Sequence, residues 1–579
     1  MLDLVIRGAT VVDGTGGPPR RADVGVKDGR IVTVGTIDAD EAAGAAETLD
    51  ADGLVVAPGF VDPHTHYDAQ LFWDPAATPS NVHGVTSIVG GNCGFTLAPL
   101  RAEDGDYVRR MMARVEGMPL AALETGVTWD WETFGEYLGR LEGRIGVNAG
   151  FMVGHCALRR YVMGAEAVGG KATAEQLDAM VQALHEAIDA GGLGFSTTLS
   201  STHSDGDGQP VASRHASEDE LLALCRAVGE HEGTVLEGAF EGGLDKFSDD
   251  EIELVAAMSV ASGGRSINWN VLTVDSSVPE RVPRQLQAAD TAAAQGGRVV
   301  ALTMPVLVPM NMSFGTFCAL FLIPGWGDVL RLPVEEKKAQ LADPEVRATL
   351  AAHARSEEAG VFRRLADWAR YVIGDTYSEA NEGLSGRQVA EIAAERGDAD
   401  PFHTLLDIVA ADDFRTVLWP MPTDNDPESW AMRKVVWQDP RVLLGGSDAG
   451  AHLDRMSGAS YTTRLLADCL RGRRLATLER AVQMLTDEPA QLFGLRDRGR
   501  IAEGYHADLV VFDPETVNAG PARLVDDLPG GAARLTAESE GIRRVYVAGV
   551  ATVVDNAGTG ATPGQILRSG VDTRTPEPV

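Results

Sequence analysis

The sequence predicts an α/β protein. The expected fold is a (β/α)8 TIM barrel with a small β-sandwich built from both termini and a helical insertion before the last barrel strand. Three observations predict it. Through the middle of the chain, short apolar strands alternate with helical patterns, the signature of βα units. The two ends share a different texture of short strands punctuated by Gly and Asp. More than a hundred residues without a barrel-strand pattern precede the final strand, too many for a loop.

Residues 1–56 read as strands in DLVIRGATVVDG, ADVGVKDGRIVTVG and TLDADGLVVAPG, the last running just past the boundary. Residues 57–490 are assigned to the barrel, with strands at 59–64, 85–93, 146–155, 193–199, 234–240, 266–272, 298–305 and 441–449. Helices fall between them, as in TAEQLDAMVQALHEAIDA (173–190) and SEDELLALCRAVGEH (217–231). Both begin with Thr or Ser followed three residues later by Gln or Glu, close to a capping box. The insertion is placed at about 308–415, and residues 491–579 return to the sandwich texture in GRIAEGYHADLVVFDP and IRRVYVAGVATVVDNAG. A polar, Pro-containing tail follows.

Charge and composition narrow the function. The 579 residues carry 84 acidic and 50 basic side chains, a net charge of −34, which argues against nucleic acid or an anionic membrane as partner. Five cysteines without a CxxC suit a reducing compartment rather than a disulfide framework. The N-terminus lacks the layout of a secretory signal. The most apolar run, MSFGTFCALFLIPGW (312–326), is too short and too interrupted to span a membrane. The expectation is a cytoplasmic protein acting on a small molecule, with homo-oligomerisation left open.

The chemistry-bearing residues cluster at predicted strand ends, where a barrel of this type places its active site. His64 and His66 close the first strand, and the alternation of a strand turns both imidazoles to one face. Cys93 ends the second strand between paired glycines, His155 ends the third, Glu237 lies in the fifth, Asn268 and Asn270 in the sixth, and Asp448 ends the eighth. Imidazoles, a thiolate and a carboxylate together suit zinc. Asp448 is placed to take a proton from an activated water and return it to a leaving amine. His155 reads better as a pocket histidine than as a ligand. His452 follows Asp448 closely enough to contact substrate, though its role is not ranked by the sequence.

These motifs resemble the amidohydrolase superfamily, and more closely its D-aminoacylase (N-acyl-D-amino-acid deacylase) group. The resemblance rests on DLVIRGATVVDGTG, APGFVDPHTH, HGVTSIVGGNCGFTLAPL, GHCALR, LLGGSDAGAH, LTDEPAQLFGLRDRGRIAEGYHADLVVFDP and TGATPGQILR, which cover nearly the whole chain. It implies hydrolysis of an amide by metal-activated water, with Cys93 in the place of the carboxylated lysine of other amidohydrolases. The chain also departs from that group. Where the group has a histidine on the fifth strand and a Ser-His-His-Lys run on the sixth, this chain reads VLEGAFEGG and INWNVL.

The resulting expectation is one Zn2+ held by His64, His66, Cys93 and Asp448, with Glu237 as a further candidate ligand. Substrate contacts are expected from His155, Arg159, Asn268, Asn270 and His452. Arg159 and Arg455 are the cations placed to receive a substrate carboxylate, and each reads equally well as structural. Phe314, Phe317, Phe321 and Trp326 are expected either to wall an apolar acyl pocket or to form the insertion's own core. The leading activity is deacylation of an N-acyl amino acid or related N-acyl amine. Hydrolysis of a cyclic amide or other C–N bond is the rival, and a silent metal-binding relative is the third reading.

Overall fold

The computed structural model describes residues 1–316 and 318–576. The chain divides into two compact units, Met1–Val308 with Trp430–Val579, and Pro309–Ser429.

In the larger unit, each of the eight segments expected to be a barrel strand contains a strand. They are β1 (Phe60–Asp62), β2 (Val85–Gly90), β3 (Asn148–Phe151, resuming as Val153–Gly154), β4 (Gly194–Thr198), β5 (Val235–Ala239), β6 (Ser266–Trp269), β7 (Arg298–Thr303) and β8 (Val442–Leu444). They are parallel and pair in chain order. Just beyond the ends of β8 and β1, Ala449 and Thr65 form a parallel bridge. Every residue of β2 and of β5 is buried, as expected for parallel strands covered on both faces.

Helices α1 (Gly105–Val115), α2 (His155–Met163), α3 (Ala174–Asp189) and α4 (Glu218–Gly229) come from the connections between these strands. The capping box expected at Thr173 is complete, with Gln176 returning the bond. At α4 the expectation holds only in half. Ser217 accepts from the Glu220 N–H, but the Glu220 carboxylate turns inward to Arg159 and His155. A buried guanidinium offers a charged partner that outcompetes an exposed capping bond.

A nine-stranded sheet takes strands from both ends of the chain. Leu4–Val11 pairs with Val55–Pro58, which pairs in turn with Leu509–Phe512 and so reaches Ile542–Val547. Leu4, Ile6, Val24, Val56, Leu509, Val511 and Tyr546 form its core on one face.

The smaller unit runs from Pro309 to Ser429. Its core includes Phe314, Trp326, Trp368, Tyr371 and Phe402. Phe314 and Trp326 are wholly buried there, so they pack their own unit instead of walling a pocket. Phe317 lies outside the described residues. Among the described residues, no helix is long and apolar enough to cross a membrane.

Candidate metal centre

The chain ends of β1, β2 and β8 deliver the centre. Beyond β1, the Thr65 side chain turns away to bond Val89 O at 2.8 Å, leaving His64 and His66 on the other side. Both histidines are buried. Beyond β2, Cys93 adopts a left-handed backbone (φ 55°) inside a one-turn helix. Gly91 before it permits close packing, since a side chain there would meet the Met152 carbonyl at 2.4 Å. Beyond β8, Gly446 lets Asn270 Oδ1 approach to within 2.5 Å of where a Cβ would stand. Asp448 follows, also left-handed (φ 53°).

These turns bring four side chains together. His64 Nε2 lies 3.3 Å from Asp448 Oδ1, and His66 Nε2 lies 3.5 Å from the same oxygen. Cys93 Sγ is 3.6 Å from His64 Nε2. One ligand atom from each of His64, His66 and Cys93 can be chosen so that all lie within 4.8 Å of one another. Asp448 is the most open member, its side chain 25% exposed while both imidazoles are at 1% or less.

The donor set fits a divalent cation. Imidazole nitrogens, a sulfur and a carboxylate oxygen at this spacing are zinc donors. The electrostatics agree, because too many acids are buried together. Burial pushes Glu237 up to about 8 and Glu116 up to about 7. Burial, aided by the charges of Glu237, Glu116 and Asp448, drives the Cys93 thiol well up. Burial also opposes charge on Asp448, yet its bonds to His64 and His66 hold its carboxyl well below the usual range. A cation relieves this crowding of negative groups.

The remaining expected residues separate into two groups. Asn270 Nδ2 approaches Asp448 Oδ1 at 3.4 Å, and the His452 backbone N–H is held by the Glu116 carbonyl. Both therefore stand beside the centre. Asn268 is wholly buried and donates to Leu236 O at 3.0 Å, joining β6 to β5.

His155 and Arg159 are both tied to Glu220, contrary to the substrate roles expected of them. His155 uses both ring nitrogens, on Thr197 Oγ1 at 2.8 Å and on Glu220 Oε1 at 2.9 Å. Arg159 places one guanidinium nitrogen 2.6 Å from both Glu220 oxygens and is fully buried. An arginine neutralised in this way has no charge to offer a ligand. Glu237 also differs from expectation, because its Oε1 faces His64 Nδ1 at 3.7 Å instead of the Nε2 side where Cys93 and Asp448 meet.

Two residues were missed. Glu116 caps the C-terminus of α1 and sets Oε1 3.5 Å from His66 Nδ1. Nothing in VEGMPL marks it, since it follows a helix and not a strand. His203, in the loop after β4, bonds Thr198 Oγ1 at 2.7 Å and meets Phe95 edge-on. Burial and the nearby His452 hold its pKa down to about 3, despite the opposing pull of Asp448. Its place just past a strand end was the available signal.

A family model described as the amidohydrolase family matches residues 47–553. The chain belongs to the amidohydrolase family. Among its curated relatives, a D-aminoacylase of Alcaligenes xylosoxydans xylosoxydans is 31% identical over 569 residues, covering 98% of this chain and 97% of that one. An N-acyl-D-glutamate deacylase of the same organism is 31% identical over 574 residues, covering 98% and 96%. Among solved structures, N-acyl-D-glutamate deacylase from Bordetella bronchiseptica, complexed with zinc and a phosphonate mimic of the tetrahedral intermediate, superposes with a TM-score of 0.65. It is 28% identical and covers 98% of this chain and all of its own. A D-aminoacylase with a binuclear metal centre gives 0.63 at 27% identity, with the same coverage. This amidohydrolase is therefore a hydrolase acting on carbon–nitrogen bonds other than peptide bonds, with a fold of the TIM-barrel superfamily.

Proposed function

We propose that this amidohydrolase removes the acyl group from an N-acyl amino acid or a related N-acyl amine, using one divalent metal, Zn2+, held by His64, His66, Cys93 and Asp448. The supporting observation is the shared Asp448 oxygen, 3.3 Å and 3.5 Å from the two inward imidazole nitrogens. The deacylase names of its relatives support the substrate class. The same reading takes the eight parallel strands as a closed barrel, the sheet from both termini as part of a sandwich, and Pro309–Ser429 as an insertion.

A cation bound there supplies a Lewis acid and lowers the pKa of a water from about 15.7 to about 7. The protein's own part falls mainly to Asp448. Its partly exposed carboxylate accepts the proton of the attacking water and then delivers it to the leaving nitrogen, so one group acts as base and acid in turn. Asn270 Nδ2, 3.4 Å from Asp448 Oδ1, helps to hold that carboxylate in place. The buried histidines and Cys93 close the inner side of the centre to bulk water.

The test is a zinc-loaded preparation offered N-acetyl-D- and N-acetyl-L-amino acids, simple N-acyl amines and a hydantoin-type cyclic amide side by side, with release of free amine or ring opening measured. Preference for linear substrates supports the proposal. Turnover of the cyclic amide alone transfers the activity to the rival class, and no turnover of any amide removes it.

A further inference from the structure

We propose that Glu116 and Glu237 are a matched pair of positioning carboxylates, one behind each metal-facing imidazole. Each fixes its histidine to ligate through Nε2, and neither ligates the metal itself. This rests on the reading of the site as a metal centre and assigns roles to two acids that the sequence either missed or read as a ligand.

An imidazole has two nitrogens, and which one meets a metal is set by what the other one touches. Both Nε2 atoms face the same Asp448 oxygen, so both Nδ1 atoms face outward. Both Nδ1 atoms are buried without a hydrogen-bond partner, and so is Glu237 Oε1. Each outward nitrogen has a buried carboxylate oxygen facing it, Glu237 Oε1 at 3.7 Å from His64 and Glu116 Oε1 at 3.5 Å from His66. These spacings exceed a formed hydrogen bond by a few tenths of an ångström. Such bonds are commonly loose in the unliganded state and tighten once the other nitrogen is engaged.

Glu237 is anchored through its carboxylate and Glu116 through its backbone. Glu237 Oε2 accepts the Cys93 N–H at 2.7 Å, which leaves Oε1 aimed at His64 and ties that orientation to the turn carrying the sulfur ligand. Glu116 is held at the end of α1, with its carbonyl bonded by the His452 N–H in the segment that follows Asp448. Each residue is thus tied to a different arm of the centre. Losing an outer carboxylate of this kind typically weakens metal binding about 10- to 100-fold.

The experiment measures zinc affinity of the full-length protein by competition with a chromophoric chelator, together with the visible spectrum of its Co2+ form and the melting of the metal-free protein. Glu116→Ala is expected to weaken zinc about 10- to 100-fold and to shift the cobalt bands, with metal-free melting changed little. Glu116→Gln, which keeps an acceptor and most of the volume, should recover part of the affinity and carries the test if the alanine variant does not fold. Glu237→Gln is expected to act in the same direction. Wild-type zinc affinity and a wild-type cobalt spectrum in Glu116→Gln and Glu237→Gln overturn the proposal. So does a loss of affinity matched by an equal loss of metal-free stability. A wild-type protein that takes up no zinc refutes the metal-centre reading instead, so the two failures are distinct.

Discussion

The backbone N–H of Cys93 donates to Glu237 Oε2 over 2.7 Å, joining the turn after β2 to the middle of β5 across the mouth of the sheet. Glu237→Ala leaves that buried N–H unpaired, at a cost of about 1–3 kcal/mol. Glu237→Gln retains a carbonyl oxygen and should lose less. Urea midpoints of metal-free protein, compared at unchanged slope, measure the difference.

Asp448 is the base and acid of the proposed reaction. Asp448→Asn removes the proton-accepting oxygen while keeping the shape, so turnover should fall about 100- to 10,000-fold. Circular dichroism and the melting of the metal-free protein should stay near wild type. A variant retaining more than a tenth of wild-type kcat on an N-acyl amino acid rules out that role.

Metal content offers a separate check. One set of four ligand groups, His64, His66, Cys93 and Asp448, predicts about one tightly held divalent ion per chain. Dialysis against a chelator should abolish activity and lower the melting temperature, because an ion that binds only the folded state stabilises it. Adding zinc back should restore both. Elemental analysis giving two tightly held ions per chain contradicts the one-metal reading.

Arg159 and Glu220 form a buried ion pair, both 2% exposed or less. Arg159→Ala strands the carboxylate and should cost about 3–5 kcal/mol. With the Arg159 guanidinium held on Glu220, KM is expected not to move in whatever fraction remains folded at low temperature. A large rise in KM without loss of stability would restore its substrate role.

His83 supplies a pH signature remote from the centre. It is wholly buried, accepting from Thr463 Oγ1 at 2.7 Å and donating to Ala537 O at 3.0 Å. Burial lowers its pKa from 6.5 to about 4. Between those values the unfolded chain binds the proton and the folded chain does not, so stability falls as pH drops through that window. The full effect is about 3 kcal/mol. His83→Gln should flatten the decline, as read from urea midpoints between about pH 6.5 and 4.

Much of the fold and part of the centre were legible from residue order. The sequence read His64 and His66 as sharing a strand face, but the strand stops at Asp62 and the pair lies just beyond it, with Thr65 turned to Val89 O between them. The paired glycines beside Cys93 stood out in the sequence, whereas the left-handed backbone of Cys93 and Asp448 came only with the structure. Residues whose roles depend on competition between partners were not legible. Ser217 and Glu220 look like a capping box, but only packing reveals that Arg159 lies within reach of the carboxylate. Glu237 was read as an acid in the right place, although the sequence could not tell which imidazole nitrogen it faces.

Local order alone determined where the strands fall, which residues stand at their ends, and that nitrogen, sulfur and oxygen donors are available there. Those follow from backbone periodicity and turn chemistry, which act over a few residues. The tertiary structure decided which donors share a centre, which cations are neutralised in the core, and that Glu116 joins from the end of a helix. Those outcomes depend on distances of 3–4 Å between residues tens to hundreds of positions apart, such as His64 and Asp448. No short-range pattern encodes a distance of that kind.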